Sequence, residues 1–129
     1  MTIITLNNPS TNPAENVARI KEAIAEANKL YMANTAAGQV TVQLGAGTWV
    51  VTGDKTNPSV GAIELLSGVE LTGSGNRDTV IILENNFDAR LNGIVRTALD
   101  TVENVTISNL VIDGNSAHNI GIKPGSSAA

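Results

Sequence analysis

Hydrophobic and polar positions alternate with a period of two through most of the chain after residue 38, in short runs closed by glycine or asparagine. Two runs share one pattern, namely residues 68–73 (GVELTG) and 104–109 (NVTISN). Such alternation predicts strands with one buried face. Because the runs are separated by short turns without hairpin loops of regular length, we expect a chain that winds in one direction and stacks each circuit on the last.

The alternating segments are short and evenly patterned along the chain. They predict strands at 40–44, around Trp49 and Val51, and at 63–66, 69–72, 79–83, 94–97, 102–107 and 110–112. A short apolar run at residues 3–6 is a candidate covering strand. Polar stretches at 52–61 and 85–92 are predicted to be long loops.

One segment before residue 38 has helical periodicity instead. Asn12 is a candidate N-cap, Pro13 suits the first helical position, and Glu15 could complete a capping box. The apolar stripe consists of Val17, Ile20, Ile24, Ala27 and Tyr31. On the other face, Glu15 and Arg19 are spaced for an ion pair worth about 0.2–0.5 kcal/mol. We expect this helix to cover the open apolar end of the first circuit.

These patterns predict an all-β fold, a right-handed parallel β-helix of few rungs with an N-terminal amphipathic capping helix. Residues 1–129 are expected to form one domain, with a cap at 1–37, a helix at about 13–34, rungs at 38–115 and a tail at 116–129. Nothing after the last predicted strand could cover the open end. We therefore expect a truncated N-terminal portion of a longer solenoid, with possible end-to-end self-association through its exposed last rung.

Composition narrows the function classes. Only Tyr31, Trp49 and Phe87 are aromatic, so the core must be stacked Val, Ile and Leu. A net charge of −4, from eight basic and twelve acidic residues, provides no basic field for nucleic acid. Cysteine is absent, which excludes disulfides and thiolate metal sites. No segment has the length of a membrane span, and the N-terminus does not resemble a signal peptide.

Several stretches resemble a known family. Residues 38–49 (GQVTVQLGAGTW) are similar to the opening rung of pectate-lyase-like β-helix proteins. Residues 68–75 (GVELTGSG), 92–98 (NGIVRTA) and 108–115 (SNLVIDGN) resemble the catalytic module of secreted mannuronan C5-epimerases, which edit alginate. The resemblance extends over about residues 12–123 but matches only the first third or so of such a module. Residues 6–12 (LNNPSTN) diverge from the turn with which the family usually begins.

The resemblance implies a substrate-binding set of cations, Arg90, Arg96 and Lys123. Epimerisation removes a proton alpha to a carboxylate, and a cation that neutralises the carboxylate favours that step. The alternative is that the arginines are solvated charges that pair with Asp88 or Asp100. The catalytic Tyr, Asp and His of the family match no residue here, so no catalytic residue and no metal ligand is assigned.

Other chemical motifs have simpler explanations. His118 is the only histidine and lies in a polar tail, where solvent exposure is expected. The segment 113–115 (DGN) offers calcium one carboxylate, far fewer than the six or more oxygens that calcium prefers, so we interpret it as a turn. The segment 73–75 (GSG) lacks the helix and third glycine of a dinucleotide site. The sequon at residues 104–106 falls inside a strand repeat.

The sequence thus predicts the cap and early rungs of a polysaccharide-modifying enzyme. By resemblance the parent enzyme is an extracellular isomerase that converts mannuronate to guluronate, and this chain alone is expected to be inactive. Its expected partner is an alginate-like anionic polysaccharide, without nucleic acid, membrane or cofactor; calcium is left open for a longer protein. The alternatives are a polyuronate lyase, or a non-catalytic segment of an adhesin or phage-type spike.

Overall fold

Short strands make up most of the ordered elements in the computed structural model, which describes residues 2–57, 60–75, 77–89, 93–98 and 101–115. The elements in chain order are β1 (Ile3–Leu6), α1 (Pro13–Ala33), a 3-10 helix (Thr35–Ala37), β2 (Val40–Leu44), β3 (Gly47–Val51), β4 (Ile63–Leu65), β5 (Val69–Thr72), β6 (Thr79–Leu83), β7 (Val95–Thr97), β8 (Thr106–Ser108) and β9 (Val111–Asp113).

The strands form three sheets, and every described pairing between them is parallel. The first sheet has the order β1-β2-β5-β8, the second β3-β6-β9 and the third β4-β7. The chain therefore visits the three sheets in turn and then returns to the first, and we call each such circuit a coil. Parallel stacking of successive coils, as the sequence predicted, is what the described strands show.

The repeated sequence pattern corresponds to equivalent positions on adjacent coils. In the first sheet, Leu71 of β5 pairs with Ile107 of β8, and the flanking residues keep the same register. The two runs also begin alike, because Gly68 and Asn104 both have a positive φ, of 77° and 58°. Glycine and asparagine tolerate this left-handed conformation better than other residues. The repeat therefore records the turn and strand that each coil contributes to this sheet.

Inward side chains of paired strands stack to form the core. Val42 is aligned with Leu71 in the first sheet, and Trp49 with Ile81 in the second; all four are fully buried. Trp49 also donates its indole N–H to the carbonyl oxygen of Gly45 at 3.0 Å, which satisfies its one polar group. Aliphatic stacking such as that of Val42 on Leu71 is what the low aromatic content predicted, and Trp49 adds one aromatic ring to this core.

Helix α1 packs against the first coil and β1, as expected for a cap. Its predicted stripe faces the core, with Ile20, Ile24, Ala27 and Tyr31 buried and Val17 partly buried. Asn16, which the sequence analysis did not single out, is fully buried. Its side chain donates to the backbone oxygens of Ser10 and Val50, each at 2.9 Å, and so fastens the helix to the turn before it and to β3.

Two details at the start of α1 differ from expectation. The Asn12 side chain caps Ala14 and Glu15 N–H at 3.0 and 3.4 Å, but the Asn12 N–H donates to the hydroxyl of Ser10. The capping box with Glu15 is therefore wrong, because Ser10 supplies the second half of the cap.

The expected ion pair between Glu15 and Arg19 is also wrong. The Arg19 guanidinium instead donates to the carbonyl oxygens of Asn7 and Asn8, at 2.6 and 2.9 Å. It lies over the Trp49 ring at 5.1 Å. Arg19 thus joins the N-terminal turn to the first coil, because two carbonyl acceptors and an aromatic face are closer partners than a solvated carboxylate.

Strand bounds agree at 3–6, 40–44, 69–72 and 79–83, and differ by one or two residues elsewhere, with one exception. The strand predicted at 102–107 begins only at Thr106. The left-handed turn at Asn104 interrupts the extended backbone, and Glu103 bonds to the preceding coil through the hydroxyl of Ser67 at 3.1 Å. Ile107 in β8 is 39% exposed, because in the described part of the chain no later strand of the first sheet covers it.

The tail predicted at 116–129, with His118 and Lys123, lies outside the described residues. Within the described part, no helix combines the length and apolar character needed to cross a bilayer.

Gly68 provides a test of the fold. A Cβ at this position would overlap the ring of Tyr31, and the φ of 77° strains any other residue. We expect Gly68→Ala to lower the free energy of unfolding by about 2–5 kcal/mol. Asn104→Gly is the matched control, because its φ of 58° suits glycine, and we expect a change within about 0.5 kcal/mol. Urea denaturation followed by circular dichroism measures the free energy of unfolding of both variants. Equal losses of stability in the two variants would contradict the close packing of Gly68 against Tyr31.

Candidate functional site

The outward face of the third sheet carries two charged side chains in register. Glu64 of β4 pairs with Arg96 of β7, while their neighbours Ile63, Leu65 and Val95 point inward and are buried. The Arg96 Nε lies 3.9 Å from Glu64 Oε2, and the two side chains are 23% and 25% exposed. Period-two alternation thus turns a guanidinium and a carboxylate to the same outer surface.

Arg96 is positioned by its backbone neighbours as well as by Glu64. Its Nε donates to the carbonyl oxygen of Thr97 at 2.8 Å. Its aliphatic part packs against Gly61, where an added Cβ would lie 2.8 Å from Arg96 Cγ. The Gly61 N–H in turn donates to Glu64 Oε2 at 3.3 Å. A small residue at position 61 therefore leaves the space that the Arg96 side chain occupies.

Two loops flank this face: the first loop connects β3 to β4, and the second loop connects β6 to β7. Lys55 of the first loop forms an ion pair with Asp88 of the second, with Nζ 3.0 Å from Oδ1. The same ammonium lies 5.5 Å from the centre of the Phe87 ring, which is fully buried. The hydrogen bond and charge of Lys55 lower the pKa of Asp88 below its ordinary value of 3.8. The pair connects loops of successive coils.

A cleft of about 360 Å³ lies between α1 and the first loop. Within it, Asp54 accepts bonds from the Thr56 N–H and hydroxyl through one oxygen, at 2.9 and 2.6 Å. These bonds lower the pKa of Asp54 below 3.8, and the charge of Lys21 adds a smaller effect in the same direction. Glu64 also lines this cleft, so the cleft and the outer face of the third sheet are continuous.

Of the predicted substrate-binding residues, the structure describes Arg96 only. Arg90 and Lys123 lie outside the described residues, and so does Asp100. Asp88, which the sequence offered as an alternative partner for the arginines, forms an ion pair with Lys55. Arg96 forms an ion pair with Glu64.

Sequence reasoning missed Glu64, Lys55 and Lys21. Glu64 could have been found by aligning the runs at 63–65 and 94–97 as adjacent coils, since each run has a single charged residue at an outward position of its alternating pattern. Lys55 and Lys21 had no such signal, because one lies in an irregular loop and the other on a helix outside the repeat.

Metal binding has no support among the described residues, where no group of three or more acidic or histidine side chains could hold an ion. In the segment interpreted as a turn, Asp113 Oδ1 accepts the Asn115 N–H at 2.8 Å, and Asn115 has a φ of 56°. The side-chain amide of Asn115 donates to the carbonyl oxygen of Leu83 in the preceding coil at 3.0 Å. The segment therefore acts as a corner that joins two coils.

The Lys55–Asp88 pair gives a pH prediction. Because the pKa of Asp88 is lowered in the folded protein, its contribution to stability is complete above the ordinary value of 3.8 and is lost as the pH falls through the lower folded value. We expect Lys55→Met, which keeps contact with Phe87, to raise the Asp88 pKa towards 3.8. Carboxyl ¹³C NMR during acid titration measures it, with Lys29→Met as the control. An unchanged Asp88 titration in Lys55→Met would exclude the pair.

No protein-family model matches the chain. Over 81 residues the chain is 41% identical to mannuronan C5-epimerase AlgE2 of Azotobacter vinelandii, covering 62% of this chain and 8% of AlgE2. Alginate lyase 7 of the same organism is 40% identical over 80 residues, covering 61% of this chain and 9% of the lyase.

The solved A-module of A. vinelandii mannuronan C-5 epimerase AlgE4 superposes with a TM-score of 0.68 at 35% identity, covering 81% of this chain and 26% of that module. The chain therefore spans less than a tenth of these two curated relatives and about a quarter of the A-module. The resemblance expected from residues 68–75, 92–98 and 108–115 is confirmed: in sequence and in fold, this chain is similar to part of a mannuronan C5-epimerase A-module.

Proposed function

We propose that the chain forms the N-terminal cap and first rungs of a right-handed parallel β-helix enzyme that modifies alginate, most like a mannuronan C5-epimerase. Support comes from the similarity to epimerase A-modules and from the three parallel sheets. The observation that carries the proposal is the position of Arg96, the arginine of the family-like stretch at 92–98. Arg96 lies on an outward sheet face with its contacts arranged by Gly61, Glu64 and Thr97.

The chemistry needs a cation at this place. C5 epimerisation withdraws a proton next to a carboxylate, and negative charge then accumulates on the carboxylate oxygens. A guanidinium offers these oxygens paired, charge-assisted hydrogen bonds. Under the proposal, Arg96 binds the carboxylate of one mannuronate unit, and Arg90 and Lys123 remain proposed contributors to the same substrate.

An extended polymer suits the geometry better than a small ligand. The outer face of the third sheet continues from coil to coil, and it is bordered by the two loops that Lys55 and Asp88 connect. We propose that an alginate-like chain lies along this face in an extracellular setting. Self-association through the exposed last coil also stays a prediction.

The proton transfer itself is assigned to no residue of this chain. Tyr31, the only tyrosine, lies on the core-facing side of α1, where it is buried against Gly68 and cannot reach a sugar on the third sheet. The chain's proposed contribution is therefore substrate binding rather than acid–base catalysis.

A polyuronate lyase is the second candidate, and a specific comparison favours keeping it. Alginate lyase 7 is 40% identical to this chain, against 41% for the epimerase AlgE2. Both reactions begin with the same proton removal, so neutralisation of the carboxylate serves either. The prediction of a non-catalytic adhesin or spike segment gains nothing from these relatives, which are enzymes by name.

Substitution of Arg96 tests the binding role. We expect Arg96→Gln to weaken binding of mannuronate oligomers by about 1 kcal/mol, or roughly fivefold in Kd, because a partly exposed charged hydrogen bond is lost. Isothermal titration calorimetry at low ionic strength measures the change. Arg77→Gln is the matched control, since it removes the same charge from an exposed turn between β5 and β6. Equal affinities of both variants and the parent protein would overturn the proposed site.

The proposal that this chain binds substrate without catalysing proton transfer is tested with polymannuronate in deuterated buffer. We expect no H-5 exchange by NMR and no absorbance from an unsaturated product, because the chain offers no exposed tyrosine and no described histidine near Arg96. A known alginate epimerase serves as the positive control. Exchange above background would contradict the assignment of catalysis to other residues, and an unsaturated product would establish the lyase alternative.

A further inference from the structure

The cleft between α1 and the first loop has the mixed lining that suits a pyranose ring. Its volume of about 360 Å³ falls in the lower part of the range typical of ligand sites. Ala14, Val17, Val60 and Ala62 form apolar parts of its wall. The polar groups at the cleft come from Lys21, Thr52, Asp54, Asn57 and Glu64. An apolar surface with a few polar groups is how proteins orient sugars and other small polar ligands.

Two opposite charges in this cleft are close enough to influence each other but are not joined. The charge of Lys21 contributes to lowering the Asp54 pKa. The ion pairs found among the described residues, however, are Lys55–Asp88 and Glu64–Arg96, and Lys21 takes part in neither. The Asp54 carboxylate is oriented by Thr56 through one of its oxygens. Lys21 and Asp54 therefore both line the cleft; Thr56 fixes the carboxylate, and the ammonium has no ion pair among the described residues.

The cleft is joined to the proposed Arg96 site by a shared residue. Glu64 lines the cleft and is also the cross-strand partner of Arg96. A polyuronate has one carboxylate on every sugar, so a chain held at Arg96 needs a further cation where its next unit lies. Lys21 is the cation that lines the cleft together with Glu64, and it lies on a helix that the core holds in place.

We propose that this cleft is a second uronate-binding subsite, in which Lys21 pairs with the carboxylate of the sugar next to the one at Arg96. Asp54 and Glu64 accept hydrogen bonds from the hydroxyls of that sugar, and Val17 and Val60 contact its C–H face. The inference rests on the proposed function, because Arg96 defines the neighbouring unit.

The test compares Lys21→Gln with Lys29→Gln, a control that removes the same charge from an exposed position on the same helix. Calorimetry with a mannuronate trisaccharide is expected to show about fivefold weaker binding for Lys21→Gln and unchanged binding for Lys29→Gln. In the double variant that combines Lys21→Gln with Arg96→Gln, affinity should fall by the product of the two single fold-changes in Kd, because the two cations bind different carboxylates.

A neutral probe separates charge recognition from a general loss of structure. The carboxyl-reduced trisaccharide should bind Lys21→Gln and the parent protein equally. The changes that it causes in the protein's backbone amide chemical shifts should include residues 52–57. If Arg96→Gln weakens binding while Lys21→Gln behaves as Lys29→Gln does, the subsite is wrong and the proposed function stands. If the parent protein binds no mannuronate oligomer, the proposed function and the subsite are both overturned.

Discussion

The structure depends on parallel backbone pairing between successive coils. In a parallel ladder each residue lies beside its register partner, so inward and outward positions must match from one coil to the next. Val42 is aligned with Leu71, and Leu71 with Ile107, so a single column of aliphatic side chains runs through three coils. The same constraint places Glu64 beside Arg96 on the outer surface. Core packing on the inward side and the candidate site on the outward side thus both depend on the strand register.

Register also explains how much could be predicted from sequence. Alternation located the strands at 69–72 and 79–83, because their inward residues are large aliphatics and their ends are turn residues. It misplaced the start of β8, because Val105 continues the apolar pattern although Asn104 has already turned the backbone. Pattern describes which face a residue takes, whereas a single left-handed residue decides where a strand begins.

The partner of Arg96 was harder to predict, because the coil length varies. Val40 pairs with Val69, 29 residues on, whereas Thr72 pairs with Ser108, 36 residues on. Corners and loops absorb this difference, so no fixed period identifies cross-coil neighbours. Arg96 itself was found through a family-like stretch, but the contacts of Lys55 and Lys21 depend on loop and helix geometry that local sequence does not encode.

Charge sets the character of the proposed binding surface. The chain carries a net charge of −4, so long-range attraction cannot bring a polyanion to it, and local cations must act alone. Each described cation around the third sheet has an acidic neighbour: Arg96 has Glu64, Lys55 has Asp88, and Lys21 faces Asp54. These carboxylates offset part of the charge of the cations, so each proposed contact with a uronate is weak. Affinity for a polymer would then come from several weak contacts made together.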